Sequence, residues 1–194
     1  MDLICKISEN SSILQLKFYK GFMNKIPAVF FDRDGVLNYD DEGYVYDPNH
    51  YTIYPEIPEI IKTLAEAGYI LIVITNQAGI ARGIYTREHM HSCHSILQQK
   101  TNNAFSHIYY SPYHPEVSES LSRKPGSLLF EKAIAKYNVD VENSWMVGDR
   151  DRDLIPAKKL GMKTIGVRRN EDFNYADHVI TKLEDVIKLA IDNS

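Results

Sequence analysis

Two aspartates, Asp32 and Asp34, lie two positions apart in the stretch FFDRDGVLN, directly after a short apolar run. Two carboxylates so close together repel each other, and each loses hydration where it is partly buried. A bound cation, or an anionic reaction partner held by a cation, offsets that cost. The pair therefore indicates a metal-dependent site at the end of a buried strand.

This pair of acids is suited to phosphoryl transfer. An aspartate beside Mg²⁺ can attack phosphorus in line and form an aspartyl phosphate. We assign Asp32 as the nucleophile because a strand end holds its side chain rigidly. We assign Asp34 as the general acid and base, since it can protonate the leaving oxygen and later take a proton from the water that hydrolyses the intermediate.

Three later motifs supply the other groups that this chemistry needs. Asp149, aided by Asp153 in GDRDRD, would complete an oxygen shell for Mg²⁺. Lys124 in RKP brings positive charge to the transferring group, and Thr75 in VITNQ offers a hydroxyl beside backbone N–H groups. Each of these motifs alone is more often a charged turn or a helix start. Their order, each after its own predicted strand, favours the catalytic interpretation.

The elements that must position these residues alternate along the chain. Strands are predicted at Ala28–Phe31, Ile70–Thr75, His107–Tyr110, Ser144–Val147 and Thr164–Val167, and helices at Glu56–Ala67, Arg87–Lys100, Gly126–Tyr137, Asp151–Leu160 and Leu183–Ile191. This alternation predicts an α/β fold with a single doubly wound, Rossmann-like parallel sheet and helices on both faces. Ligands gather at the carboxyl ends of the strands in such sheets, which is where the acids, the threonine and the lysine fall.

Composition limits the classes of function. The chain has 194 residues, of which 44% are hydrophobic, and a net charge of −4, which suits one domain without a nucleic-acid footprint. No apolar run approaches the roughly 20 residues that a membrane span needs. The two cysteines, Cys5 and Cys93, argue against a disulfide scaffold and fit a reducing compartment. We expect a cytoplasmic monomer that acts on a small molecule and binds neither nucleic acid nor membrane.

Two further segments have open interpretations. Residues 1–22 lack the features of a signal peptide and are interpreted as a flexible extension or a wrongly assigned start, with residues 23–194 as the catalytic domain; a packed extra strand or helix is the alternative. The stretch REHMHSCHS places His89 and Cys93 four residues apart on a predicted helix, where they could share a metal. A solvated helix face is the favoured interpretation of that stretch.

The sequence resembles the haloacid dehalogenase superfamily of phosphohydrolases, whose four motifs match FFDRDGVLN, VITNQ, RKP and VGDRDRD between residue 27 and about residue 190. It is similar to the capless branch that contains D-glycero-D-manno-heptose 1,7-bisphosphate phosphatases and histidinol-phosphate phosphatases, and its GYV and TNQAGIARG segments are closer to the heptose enzymes. The resemblance implies a Mg²⁺-dependent phosphatase without a large cap that removes the 7-phosphate of the heptose bisphosphate. Histidinol phosphate or another small phosphomonoester is the alternative substrate.

The resemblance also implies roles for single residues. Asp32 would be the nucleophile and Asp34 the acid and base, with Asp34 also binding the metal through its backbone carbonyl. Asp149 would be a metal ligand, and Thr75 and Lys124 would hold the phosphoryl group. The positions that match substrate-contacting residues of the family are Asp40, Gly43, Tyr44, Asn76, Gln77, Ala78, Arg123 and Arg150.

One segment departs from the family pattern. Many relatives carry a zinc loop before the RKP motif, with Cys-x-His followed by Cys-x-Cys, whereas this chain reads SPYHPEVSESLSRKP. The matching positions hold Ser111, Tyr113, Ser120 and Ser122, which are not zinc ligands. We therefore predict Mg²⁺ without zinc. The resemblance, by contrast, implies that Arg123 helps to recognise the substrate beyond its reacting phosphate.

A phospho-accepting signalling receiver is the alternative from a different class, because it also uses Asp, Mg²⁺, Thr and Lys on a doubly wound sheet. A receiver places its paired acids and its phosphorylated aspartate after different strands. Here the proposed nucleophile and the acid share one DxD motif, and a further acidic motif comes late in the chain. This arrangement favours turnover over a retained aspartyl phosphate. A non-catalytic binding relative is disfavoured because all the catalytic groups are present.

Overall fold

A six-stranded parallel sheet organises residues 25–40, 43–168 and 172–192, the part of the chain that this computed structural model describes. The strands are β1 (Ala28–Phe31), β2 (Ile70–Asn76), β3 (Phe105–Ser111), β4 (Trp145–Gly148), β5 (Lys163–Val167) and β6 (His178–Ile180). The helices are α1 (Ile57–Glu66), α2 (Arg87–Lys100), α3 (Leu128–Tyr137), α4 (Asp151–Leu160) and α5 (Asp185–Asp192).

The order of strands across the sheet is β3-β2-β1-β4-β5-β6, and every neighbouring pair is parallel. The chain therefore builds outward from β1 to β3 on one side and returns to the other side of β1 with β4. The direction in which strands are added reverses between β1 and β4. The loops that follow these two strands diverge there and leave a crevice at the carboxyl edge of the sheet. The predicted doubly wound α/β fold is confirmed, and no cap domain is present in the described ranges.

Alternate residues of β1 face two different cores. Val29 and Phe31 belong to the core that α1, α2 and α5 cover, while Ala28 and Phe30 belong to the core that α3 and α4 cover. All four side chains are buried. A strand that is covered on both faces is an unbroken apolar run, so the first polar side chain after it, Asp32, marks the strand end.

The predicted elements are found with small shifts at their ends. The first strand, α2 and α4 have the predicted bounds, and α3 begins two residues late, at Leu128. Gly68 and Gly161 follow α1 and α4 with φ of 91° and 95°, as expected of glycines that end helices. The sequence does not predict β6, because three residues at the sheet edge, two of them exposed, produce no clear pattern.

The prediction of a solvated face on α2 is wrong for two of its residues. Cys93 and His94 are buried on the same stripe as Met90 and Leu97. The Cys93 thiol donates to the carbonyl of Tyr46 at 3.3 Å. The polar stretch spans more than one face of the helix, so part of it is packed against the loop after β1.

The remaining expectations concern residues 1–22 and the absence of a membrane span. The interpretation of residues 1–22 as an extension lies outside the described residues. Within the described ranges, every helix is too short or too polar to cross a bilayer.

Candidate active site

Asp32 lies directly after β1 at the centre of the carboxyl edge of the sheet. Its backbone N–H donates to the carbonyl of Val147 in β4 at 2.9 Å. Its Oδ1 accepts the backbone N–H of Arg33 at 2.7 Å and lies 2.8 Å from Nζ of Lys124. The side chain is buried. These contacts hold the carboxylate in one orientation, which in-line attack requires.

The carboxylate of Asp34 accepts hydrogen bonds on both oxygens and keeps 21% of its side chain exposed. Arg33 donates from Nε to Oδ1 at 2.9 Å and from Nη2 to Oδ2 at 3.0 Å. Asn38 donates to Oδ1 at 3.0 Å, and Gln77 donates to Oδ2 at 2.9 Å. The side chain is therefore held in place and still reachable from solvent, as proton exchange with a substrate or water requires.

Gly35 allows the segment FFDRDGVLN to approach the segment VGDRDRD closely. Its φ is 81°, a conformation that side chains disfavour. A Cβ at this position would lie 2.5 Å from Oδ2 of Asp149, so any side chain would displace that carboxylate. Glycine is thus required at this position both for the turn after β1 and for the close approach of Asp149.

Lys124 is buried and joins the third motif to the acids. Its Nζ donates to the carbonyl of Ile74 at 2.7 Å and lies 2.8 Å from both Oδ1 of Asp32 and Oδ1 of Asp153. Burial lowers the pKa of Lys124, but the two carboxylates raise it by more, and the net pKa lies above its ordinary value. The amine is therefore a fixed positive charge beside the proposed nucleophile.

Three acids form a cluster that fits a hard cation. Asp32, Asp149 and Asp153 each offer an oxygen within 4.8 Å of the others. Oδ1 of Asp149 is buried and has no hydrogen-bond partner among the described residues. Burial and the charges of Asp32 and Asp153 raise the pKa of Asp149 above its ordinary value. A divalent cation would satisfy the orphaned oxygen and offset the repulsion, and carboxylate oxygens are the ligands that Mg²⁺ prefers.

The end of β2 carries three polar side chains with different partners. The hydroxyl of Thr75 accepts the amide of Gln77 at 2.9 Å. Asn76 fixes the backbone of Lys124, donating to its carbonyl at 3.1 Å and accepting its N–H at 3.0 Å. Gln77 is buried and accepts the hydroxyl of Tyr85 at 2.7 Å. The amide of Gln77 is thus committed to protein partners, whereas Asn76 also faces the crevice.

A cleft of about 210 Å³ extends from Asp34 between the loops at this edge. It is lined by Asp34, Asp40, Gly43, Tyr44, Val45, Asn76, Ala78, Tyr85, His114, Arg123, Arg150 and Arg152. The structure thus brings every residue matched to a substrate contact to one cleft, with the exception of Gln77.

Sequence reasoning missed two arginines of this site. Arg33 is 0% exposed although it stands between two acids in the chain, and Arg152 lines the cleft. No local signal separates the buried Arg33 from a solvated turn residue. Arg152 stands two residues after Arg150 in GDRDRD, but nothing in that spacing indicates that both arginines line the cleft.

The segment that replaces the zinc loop is joined by hydroxyl groups. Ser122 Oγ lies 2.9 Å from Oγ of Ser111 and 2.8 Å from Oγ of Ser120, so three serines form one hydrogen-bonded chain. Arg123 donates to the carbonyl of Tyr113 at 3.2 Å in the same segment. These contacts connect the loop to the end of β3, while the expected absence of zinc stays a prediction.

The chain is similar in sequence to a family of hydrolases and to individual sugar-phosphate phosphatases. Residues 121–186 match the model of the HAD-hydrolase-like family. The chain is 33% identical over 175 residues to a D-glycero-beta-D-manno-heptose-1,7-bisphosphate 7-phosphatase of Haemophilus ducreyi, covering 82% of this chain and 96% of the relative. The enzyme of the same name from Vibrio cholerae is 38% identical over 147 residues, covering 71% of this chain and 78% of the relative.

Solved structures share the fold. A D,D-heptose 1.7-bisphosphate phosphatase from B. bronchiseptica, complexed with magnesium and phosphate, superposes with a TM-score of 0.77 at 23% identity, covering 87% of this chain and 100% of that one. A HAD-like phosphatase from Mesorhizobium loti gives a TM-score of 0.74 at 24% identity, with 87% of each chain covered.

Proposed function

The chain belongs to the haloacid dehalogenase-like phosphatases, and on that premise we propose that it removes the 7-phosphate of a D-glycero-D-manno-heptose 1,7-bisphosphate through an aspartyl phosphate on Asp32. One observation supports this chemistry most directly: four separate segments of the chain meet at the carboxyl edge of the sheet. Lys124 lies 2.8 Å from Asp32 and from Asp153, and Asp149 has an orphaned oxygen beside them. The substrate is supported by relatives of that name at 33% and 38% identity.

Mg²⁺ would be held by Asp32 and Asp149, with Asp153 in support and the backbone carbonyl of Asp34 as a further ligand. When bound, it supplies positive charge to the oxygens of the transferring phosphoryl group. The buried acid cluster fits this role because its negative charges otherwise repel one another and an oxygen of Asp149 lacks a partner.

The first chemical step forms a bond between a carboxylate oxygen of Asp32 and phosphorus, and breaks the bond between phosphorus and the sugar oxygen. Asp34 gives its proton to that leaving oxygen. Lys124 and the hydroxyl of Thr75 bind the oxygens of the phosphoryl group as its charge redistributes. The positions of Asp32 and Lys124 are fixed by burial, so little reorganisation is needed.

The second step frees the enzyme. Asp34 takes a proton from a water molecule, whose oxygen attacks phosphorus and breaks the bond to Asp32. Inorganic phosphate leaves with Asp34 protonated for the next cycle. The partial exposure of Asp34 gives that water a route, since its side chain borders the cleft.

The remainder of the substrate would occupy the cleft. Asp40, Gly43 and Tyr44 line one wall, and Asn76 and Ala78 line another. Arginines complete the lining, which suits a sugar that carries a second phosphate. From the net charge of −4 we further propose that the protein binds no nucleic acid, and from its two cysteines that it acts in the cytoplasm. The serines at the zinc-loop positions support activity without zinc, and we propose that the protein is a monomer.

Phosphate release from a substrate panel tests this proposal. The panel contains both anomers of the heptose bisphosphate, histidinol phosphate and simple hexose phosphates, each with Mg²⁺ and with a chelator. We expect the highest kcat/KM on a heptose bisphosphate and no turnover with the chelator. A clear preference for histidinol phosphate would contradict the proposed substrate, and a stable phosphorylated protein without turnover would favour the receiver alternative.

A further inference from the structure

Three arginines line the cleft, and their partners differ. Arg150 has acidic neighbours, since its Nη2 lies 3.7 Å from Oδ2 of Asp40 and its Nε lies 3.7 Å from Oδ2 of Asp149. Arg123 donates to the carbonyl of Tyr113 at 3.2 Å and forms no ion pair with a described residue. Arg152 forms neither a hydrogen bond nor an ion pair in the described part of the chain, and its Nε is buried without a partner.

The two arginines that form no ion pair with a described residue are neighbours in space, although the charge of Arg152 also acts on Asp40 and Asp153 from beyond ion-pair distance. Burial, together with the charge of Arg152, lowers the pKa of Arg123, so each guanidinium is repelled by the other. Each also retains N–H groups that no described acceptor satisfies. An anion with several oxygens, placed between them, would remove the repulsion and accept those hydrogen bonds.

The positions of the two arginines in the chain place such an anion just outside the reacting centre. Arg123 precedes Lys124, and Arg152 precedes Asp153. Lys124 and Asp153 form an ion pair at 2.8 Å, which joins the two segments at the reacting centre. Each arginine is therefore one residue away from that centre, and both line the cleft outside it.

We propose that Arg152 is a specificity-determining residue that binds, together with Arg123, the phosphate that the enzyme retains. This inference rests on the proposed bisphosphate function. Arg150, paired with two carboxylates, contributes less to that phosphate. Arg152 thereby sets the preference for a substrate with two phosphates over one that carries the reacting phosphate alone.

The test compares heptose 1,7-bisphosphate with heptose 7-phosphate, which lacks the retained phosphate. Arg152→Ala should lower kcat/KM for the bisphosphate at least tenfold, mainly through KM, and change it less than twofold for the monophosphate. Arg152→Lys should fall between the two, because a lysine keeps the charge but loses the planar fork. Lys159→Ala, which removes one exposed positive charge from the same helix outside the cleft, should match the wild type on both substrates.

Binding provides a second readout that does not depend on turnover. In an Asp32→Asn background, calorimetry should show at least tenfold weaker binding of the bisphosphate when Arg152→Gln is added, and Arg152→Gln keeps a long side chain if the alanine variant folds poorly. Equal losses of kcat/KM on both substrates would overturn the proposal, as would unchanged bisphosphate kinetics in a protein whose wild type prefers that substrate. A wild type without any preference for the bisphosphate would instead refute the proposed function, and the inference with it.

Discussion

The guanidinium of Arg33 forms two hydrogen bonds with the carboxylate of Asp34, its neighbour in the chain. Nε donates to Oδ1 at 2.9 Å and Nη2 donates to Oδ2 at 3.0 Å. Arg33 is 0% exposed, also donates to the carbonyl of Val45 at 2.7 Å, and lies 5.7 Å from the ring centre of Tyr51. The proposed acid is thus positioned by a charge that is itself fixed in the protein interior.

Replacing Arg33 should impair catalysis and stability together. Arg33→Met leaves the carboxylate of Asp34 without its bidentate partner, so we expect kcat to fall about tenfold to a hundredfold, which is less than the full loss of roughly 10²–10⁴-fold expected when the acid itself is removed. Breaking a buried ion pair by removing one partner costs about 3–5 kcal/mol of unfolding free energy. Steady-state kinetics measures kcat, and urea unfolding measures the free energy of unfolding. A variant with normal kcat would show that Asp34 needs no support from Arg33.

The two acids of the DxD motif should respond differently to the leaving group. Asp32→Asn should abolish turnover of every substrate, because an amide cannot serve as the attacking anion. Asp34→Asn should lose roughly 10²–10⁴-fold on a sugar phosphate, but far less on p-nitrophenyl phosphate, whose leaving group needs no protonation. Phosphate or nitrophenol release with both substrates gives the comparison. An equal loss on the two substrates would remove Asp34 from the role of general acid.

Asp149 should link Mg²⁺ to stability. In the wild type, Mg²⁺ at about 100 times its Kd should add roughly 2.7 kcal/mol to the unfolding free energy, because it binds only the folded state. Asp149→Asn should abolish this gain. It should not destabilise the metal-free protein, since repulsion by Asp32 and Asp153 is then relieved. Thermal melting with and without Mg²⁺ checks both effects, and a wild-type Mg²⁺ shift that persists in the variant would contradict the ligand role.

The serine chain that replaces the zinc loop should be structural, and the protein should contain no stoichiometric zinc. Ser122→Ala removes the hydroxyl that bridges Ser111 and Ser120, so we expect a loss of about 1–3 kcal/mol of unfolding free energy. Ser118→Ala, in the exposed part of the same loop, is the matched control. Elemental analysis of protein purified without added metal measures zinc directly. One zinc per chain would show that other ligands take over the site.

The parts of the site that follow a regular rule could be predicted from the sequence. Asp32 and Asn76 stand where apolar runs end, and the carboxyl ends of parallel strands meet at one edge, so their convergence follows from the fold class. The burial of Arg33 and His94 could not be predicted, because their polarity favours solvent and part of what compensates for it lies far away in the chain: the carbonyl of Val45 for Arg33, and Arg33 itself for His94. The place of Arg152 in the cleft could not be predicted either, since no spacing in GDRDRD shows that this arginine lines the site while Arg150 lies beside an acid from another loop.

The buried His94 should make stability depend on pH. Its Nε2 lies 3.3 Å from Nη1 of Arg33, and because a guanidinium only donates, this nitrogen must accept and the proton resides on Nδ1. Burial, followed by the charges of Arg33 and His91, lowers the pKa of His94 to about 2. The imidazole is therefore neutral in the folded protein across the ordinary pH range.

The sign of this pH dependence follows from proton linkage. Below about pH 6.5 the unfolded chain protonates His94 while the folded protein does not, so stability falls by about 1.4 kcal/mol per pH unit as the pH drops, and the full contribution is present above that range. His94→Gln should flatten the dependence of unfolding free energy on pH between 6.5 and 4.5 by roughly 2–3 kcal/mol. Urea unfolding at several pH values measures the unfolding free energy, with His178→Gln, at an exposed histidine that does not act on His94, as the control that should follow the wild type. Parallel curves for His94→Gln and the wild type would mean that the imidazole takes up its proton in the folded state as readily as in the unfolded chain.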